Sequence, residues 1–206
     1  MIEASSNPFV YLKIPQGDPV LSEIYRLRYK VYCEEWEFEK KEDHPEEIEK
    51  DEYDEHSTHF VVRRKEEDRI IGTIRMINNS ERGFPIEKHC RIEANLSSID
   101  KNRLGEISRL AISKEYRRRA TDKVYYDGSV LEDRTIDAMF KGSRKISNDI
   151  VLGLYKCVYK EGMESDHRYL LAVMAKGLFV LLKRVGIVFE QIGPDQYYHG
   201  TRSGSK

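Results

Sequence analysis

The stretch "EKDEYDEHSTHF", Glu49 to Phe60, crowds Glu49, Asp51, Asp54 and Glu55 around one tyrosine and then runs directly into apolar sequence. A solvated acidic loop normally fades out through Gly, Ser or Pro, so carboxylates at the mouth of a buried element suggest a site. Matching charges sit inside β-rich runs: Arg75 in "IGTIRMI", and Glu106 with Arg109 in "GEISRLAI". Burying an unpaired charge is costly, so these side chains are expected to pair with one another, with the acids, or with a ligand. Asp51 and Asp54 immediately precede a strand-like run and can face Arg28, Arg75 and Arg109 across a cleft. Glu106, a carboxylate among apolar strand neighbours, is expected to have a raised pKa, as suits a general base. By strict alternation Glu106 and Ser108 share a face and Arg109 points away, so Arg109 joins them only if a bulge intervenes.

The elements that must hold these residues follow from periodicity. "DPVLSEIYRLRYKVYCEEW" reads as a helix, with Asp18 as cap, Pro19 in the first turn and Val20, Ile24, Leu27 and Val31 as its apolar stripe. Arg28 and Tyr32 stand one turn apart beside that stripe. The acidic run from Glu34 to Glu55, with its single Pro45, reads as a mobile loop. Two β-rich runs around Glu66, Glu67 and Asp68 predict a hairpin, and "GEISRLAIS" a further strand. Residues 120–146 mix charge, Gly and Ser without period and are expected to be a flexible insertion, partly helical near Val130 to Phe140. "SNDIVLGLYKCVYKEG" predicts a helix stopped by Gly162, "HRYLLAVM" a strand, "AKGLFVLLKRVG" a helix ending at Gly186, and "IVFEQIG" a last strand. The order implies a single α/β (α+β) domain over residues 1–206, a mixed sheet flanked by helices.

Composition narrows the function classes. The chain has 206 residues, 39% of them hydrophobic and 34% charged, and a net charge of -1, which argues for a soluble globular protein and against a wholesale nucleic-acid binder. The basic cluster "EYRRR" has no aromatic platform or second basic strip beside it. Cys33, Cys90 and Cys157 are far apart, without CxxC spacing, so neither a disulfide framework nor a zinc ribbon is indicated, and a reducing cytoplasm fits. The amino terminus lacks a signal-peptide pattern. The greasiest region, "YLLAVMAKGLFVLLKRVGIVF", is broken by Lys176, Gly177, Lys183 and Arg184, short of the roughly 18 uninterrupted apolar residues of a membrane span. His56 and His59, three apart on a strand, point to opposite faces and predict no metal site. Neither Cys33 with His44 nor Cys90 with His89 has an orienting acid nearby, which disfavours a thiol nucleophile.

The ordered set Arg28, Tyr32, Phe38, then Glu49, Asp51, Tyr53, Asp54, then Gly72 with Arg75, then Glu106, Ile107, Ser108 and Arg109 resembles the acyl-homoserine lactone (autoinducer) synthases, a branch of the GNAT-like acyltransferases. "LRYKVYCEE", "DEYDEHSTHF", "FPIEKHC", "EISRLAISKEYRRR" and "FEQIGP" followed by "YHG" look closer still to the PEP-CTERM/exosortase system-associated acyltransferases, relatives also akin to N-acyl amino acid synthases. The resemblance spans about Leu21 to Gly200, and its carboxyl-terminal end is shorter than expected of the family. It implies a GNAT-like fold with splayed strands forming an acyl-donor slot. It further implies transfer of a fatty acyl group from a thioester to the amine of a small acceptor such as an amino acid or derivative. Glu106 and Ser108 become the catalytic pair, and Arg28, Tyr32, Phe38, Asp51, Asp54, Arg75 and Arg109 the substrate-binding set. The autoinducer pattern has phenylalanine at the position of Tyr32 and tryptophan at that of Phe38, which favours an acceptor other than S-adenosylmethionine. No bound cofactor is expected, only an acyl thioester co-substrate. Where GNAT enzymes cradle the coenzyme A pyrophosphate on a glycine-rich loop, this chain reads "EYRRRATDK", without glycine. An acyl carrier protein is therefore the expected donor, met by Arg117, Arg118 and Arg119, with acyl-coenzyme A as the alternative. Two other readings stay open: a noncatalytic acyl-chain or carrier-protein binding module on the same fold, and a true acyl-homoserine lactone synthase.

Overall fold

The computed structural model describes residues 8–117 and 145–195. Their elements in chain order are β1 (Phe9–Ile14), α1 (Val20–Tyr29), β2 (Ser57–Arg64), β3 (Ile70–Asn78), α2 (Pro85–His89), β4 (Leu104–Ile112), α3 (Lys145–Glu164), β5 (Tyr169–Ala172) and α4 (Lys176–Arg184). The strands form one sheet in sequence order, antiparallel from β1 to β4, with β5 parallel to β4. A parallel neighbour needs a crossover, which the long segment containing α3 provides.

Period-two alternation divides the strands between two faces. Phe60, Val62, Ile74, Met76, Ile107 and Ile112 build the main core with Ile150, Leu154 and Val158 of α3 and Leu178, Leu181 and Leu182 of α4. The opposite face receives α1, whose Leu21, Ile24 and Tyr25 pack with Ile14, Val61 and Ile70. Asp18 accepts the Val20 N–H at 2.9 Å, as its capping pattern predicts. Beyond Tyr29 the helix relaxes into a π-helical turn, Lys30–Glu35, which seats Val31 and Tyr32 against Ala111 of β4.

The mixed sheet, the β2–β3 hairpin, β4, β5 and the helix closed by Gly186 (φ 86°) agree with the sequence. Several features do not. β1 was not anticipated. "IVFEQIG" is not a strand: Ile187 and Phe189 pack against the main core, and the Ile192 carbonyl accepts the Glu93 N–H at 2.8 Å instead of joining the sheet. Gly162 does not stop α3, which runs to Glu164, because the left-handed residue of that turn is Asp166 (φ 54°). The acidic run is not a mobile loop either, since Glu49 and Asp54 are buried and the Glu49 N–H binds the Tyr25 carbonyl at 3.2 Å. The expected insertion lies outside the described residues except for Lys145 and Ile146, which open α3. The helix expected near Val130 to Phe140 lies outside them entirely.

Candidate active site

Two rows on one face of the sheet carry the charged residues. One reads His59, Arg75, Ser108 across β2, β3 and β4, and the next reads Ser57, Ile77, Glu106, Leu171 across β2 to β5. Between Thr73, paired with Ala111, and Arg75, paired with Ser108, β4 holds one extra residue. Arg109 sits in this bulge with φ 51°, a left-handed conformation uncommon for a branched or long side chain. The bulge turns Arg109 toward the face that Glu106 and Ser108 occupy, which strict alternation forbids.

On that face three guanidinium groups interlock with three carboxylates. Arg28 donates from Nε to Glu49 and from Nη1 and Nη2 to Asp54 at 2.6 and 3.1 Å. Arg75 donates from Nη1 to Asp51 and Asp54 at 2.6 and 2.8 Å, from Nη2 to Asp51 at 3.0 Å, and from Nε to Ser108 Oγ at 3.0 Å. Arg109 donates from Nε to Glu49 at 2.9 Å, and its Nη2 lies 3.2 Å from Asp51. Burial opposes ionisation of Glu49, but Arg28 and Arg109 outweigh it and hold the carboxyl at about 2. Against the same burial, Arg28 and Arg75 hold Asp54 well below the usual carboxylate range. The side chains of Arg28 and Arg75 are sealed, whereas those of Asp51 and Arg109 are 20% and 18% exposed and form the edge of the cluster that a small molecule can reach.

Glu106 has different surroundings. It is 2% exposed, beside Ile77, Leu104 and Leu171, and its Oε2 accepts the Ile86 N–H at 2.9 Å. Burial pushes its carboxyl up to about 7, against the Ile86 N–H and the charges of Arg75 and Arg109. The sheet parts beside it: β5 pairs with β4 from Leu104 to Ile107 only, while β4 continues to Ile112. A buried carboxylate therefore stands where two parallel strands diverge, the layout expected for a donor slot.

The remaining expected residues are placed as follows. Tyr32 is buried and donates its hydroxyl to the Leu110 carbonyl at 2.8 Å, at the bulge. Phe38 is half-buried and stacks on Trp36 with ring centroids 6.0 Å apart. Arg117 is not a rim residue: it is buried, ion-paired with Glu35, and its guanidinium lies 4.6 Å from the Trp36 ring centroid. Carboxylate and indole together draw it inward, away from any docking surface. Arg118 and Arg119 lie outside the described residues. Glu49, named in the acidic stretch and in the motif but left out of the expected substrate-binding set, is a full member of the cluster. His59 packs its imidazole edge-on to Tyr25, with Nε2 3.6 Å from Asp54; burial, then Arg28, push it down to about 4. Burial also pushes the Cys33 thiol up to about 12, far from a reactive thiolate.

A mixed sheet with a bulged β4 and a parallel β4–β5 pair that opens midway defines a GNAT-like α/β fold. Residues 27–127 match the family described as acetyltransferase (GNAT) domain. An acyl-homoserine-lactone synthase of Vibrio anguillarum is 22% identical over 183 residues, covering 89% of this chain and 80% of that protein. The crystal structure of the acyl-homoserine lactone synthase LasI aligns with a TM-score of 0.53 at 18% identity, covering 92% of this chain and 83% of the other. FeeM, an N-acyl amino acid synthase from uncultured soil microbes, gives 0.49 at 15% identity over 92% and 83%. The chain therefore has the GNAT-like acyltransferase fold, and the matched domain supports acyl transfer as its activity.

Proposed function

We propose that this enzyme transfers a fatty acyl group from a thioester to the amine of a small acceptor, with Glu106 as the base. The observation that carries the reading is the position of Glu106, a buried carboxylate held near neutrality where β4 and β5 part. The amine attacks the thioester carbonyl, a C–N bond forms and the C–S bond breaks. The amine's proton passes to Glu106, directly or through one water, and the departing thiolate takes up a proton to leave as the thiol. Developing charge on the carbonyl oxygen is met by a backbone N–H along the diverging strands. Ser108 Oγ, which accepts from Arg75, keeps its own hydrogen for the reacting groups. Asp51 and Arg109 at the cluster's edge orient the acceptor, while Arg28 and Arg75 fix them in place. The motifs also support placing the chain beside the PEP-CTERM/exosortase-associated acyltransferases, with an amino acid or derivative as acceptor.

Mass spectrometry of lipids from cells making the parent or Glu106→Gln tests the reaction. An amide-linked acyl product present with the parent and lost with the variant is expected; identical lipid profiles overturn it. An acyl-homoserine lactone as product would replace the proposed acceptor by S-adenosylmethionine.

For the donor we propose an acyl carrier protein, because the segment after β4 lacks the glycines that bring backbone N–H groups to a pyrophosphate. Purified enzyme is expected to use decanoyl-carrier protein in preference to decanoyl-coenzyme A, with a rate that falls as salt screens the encounter. Equal use of both donors overturns the preference.

A further inference from the structure

The backbone around α2 converges on the base. Phe84 N–H is taken by the Glu87 carboxylate at 3.0 Å, Pro85 has no N–H, and Glu87 N–H binds the Phe84 carbonyl at 3.1 Å. Ile86 N–H is thus the one amide of this turn turned toward the sheet, where it meets Glu106 Oε2 at 2.9 Å in a buried contact. Lys101 holds the other side of the turn through Glu87 at 3.2 Å, and Phe84 and Ile86 are themselves buried beside Ile77 and Leu104. Among the described residues the hydrogen bond to this carboxylate falls on Oε2 and none reaches Oε1. We infer that Ile86 is a positioning residue: its N–H pins Oε2 and so presents Oε1 as the atom that takes the acceptor's proton. This rests on the reading of Glu106 as the base.

The charged and titratable groups around this carboxylate are Arg75 from β3, Arg109 from β4, Glu87 from α2 and Cys90 just after it. None of them changes if the Ile86 amide alone is replaced by an ester, through incorporation of the α-hydroxy analogue of isoleucine. That replacement keeps the side chain and removes one N–H. An ester at Glu87, whose N–H goes to Phe84, is the matched control. The measurement is the titration midpoint of Glu106 by carbon-13 NMR of glutamate-labelled protein, assigned with Glu106→Gln, together with turnover of decanoyl thioester. A hydrogen bond to the charged form favours ionisation, so the Ile86 ester is expected to raise the midpoint by roughly one pH unit and the Glu87 ester to leave it in place. Turnover is expected to fall about 10-fold or more with the Ile86 ester, since a misdirected base loses its alignment. Glu106→Gln that is inactive beside an Ile86 ester with unchanged midpoint and turnover overturns this inference alone. Glu106→Gln with full turnover removes the base itself, and the inference with it.

Discussion

At the scale of single residues, the site separates two kinds of buried carboxylate by what each one faces. Glu49 and Asp54 are ringed by guanidinium groups and stay ionised, whereas Glu106 has apolar neighbours and one amide and holds its proton until near neutrality. Only the second kind can exchange a proton in a working cycle, and Glu106→Gln is expected to lower turnover by roughly 10²- to 10⁴-fold in a steady-state assay. The arginines serve differently. Arg75→Ala would leave Asp51 and Asp54 short of a cation, and a loss of about 3 to 5 kcal/mol should appear in urea unfolding. A variant as stable as the parent would mean that water replaces the guanidinium without penalty. The charged strand positions Arg75, Glu106 and Arg109 were legible because charge inside an apolar run demands a partner. Which acid serves which arginine was not legible, because Glu49 owes its two partners to the meeting of α1 with the bulge of β4, and no local pattern encodes that meeting.

At the scale of elements, two irregularities assemble the site. The bulge puts Arg109 on the face of Glu106 and Ser108, and the π-helical turn carries Tyr32 to the carbonyl of Leu110 within that bulge. Alternation exposed the need for the first, while the second left no trace in periodicity, since helical spacing continues through it. β1 escaped notice for a related reason: six residues just before Pro15 are a short run that becomes a strand only when a hairpin edge is available to pair with them. Its fit against α3 depends on Gly153, where an added Cβ would lie 2.1 Å from the Tyr11 ring. Gly153→Ala is expected to cost about 1 to 3 kcal/mol through overpacking. Adding Tyr11→Ala should recover part of that loss, and a double-mutant cycle with no coupling energy would show that the ring swings aside freely.

At the scale of the whole molecule, the burial of Glu106 predicts how stability depends on pH. The ordinary glutamate value is 4.5 and the folded value about 7, so below pH 4.5 the group is neutral in both states and costs nothing. Between 4.5 and 7 the unfolded chain releases its proton while the folded chain keeps it, and stability falls as pH rises; above 7 the deficit is constant. His59 acts in the opposite sense. Its folded value of about 4 against an ordinary 6.5 means that stability falls as pH drops through that interval, and Glu49, at about 2 in the fold, extends the loss below pH 4.5. These two contributions are common to the parent and Glu106→Gln, so they cancel in the difference between the two proteins. That difference should be near zero at pH 4 and grow to favour the variant by on the order of 3 kcal/mol at pH 8, read from chemical unfolding at both values. The variant that loses this carboxylate would then be the more stable protein at neutral pH, as expected when a fold holds a carboxylate in apolar surroundings. Equal stability differences at pH 4 and pH 8 would show that Glu106 titrates alike in the folded and unfolded chain and is not held near neutrality by burial.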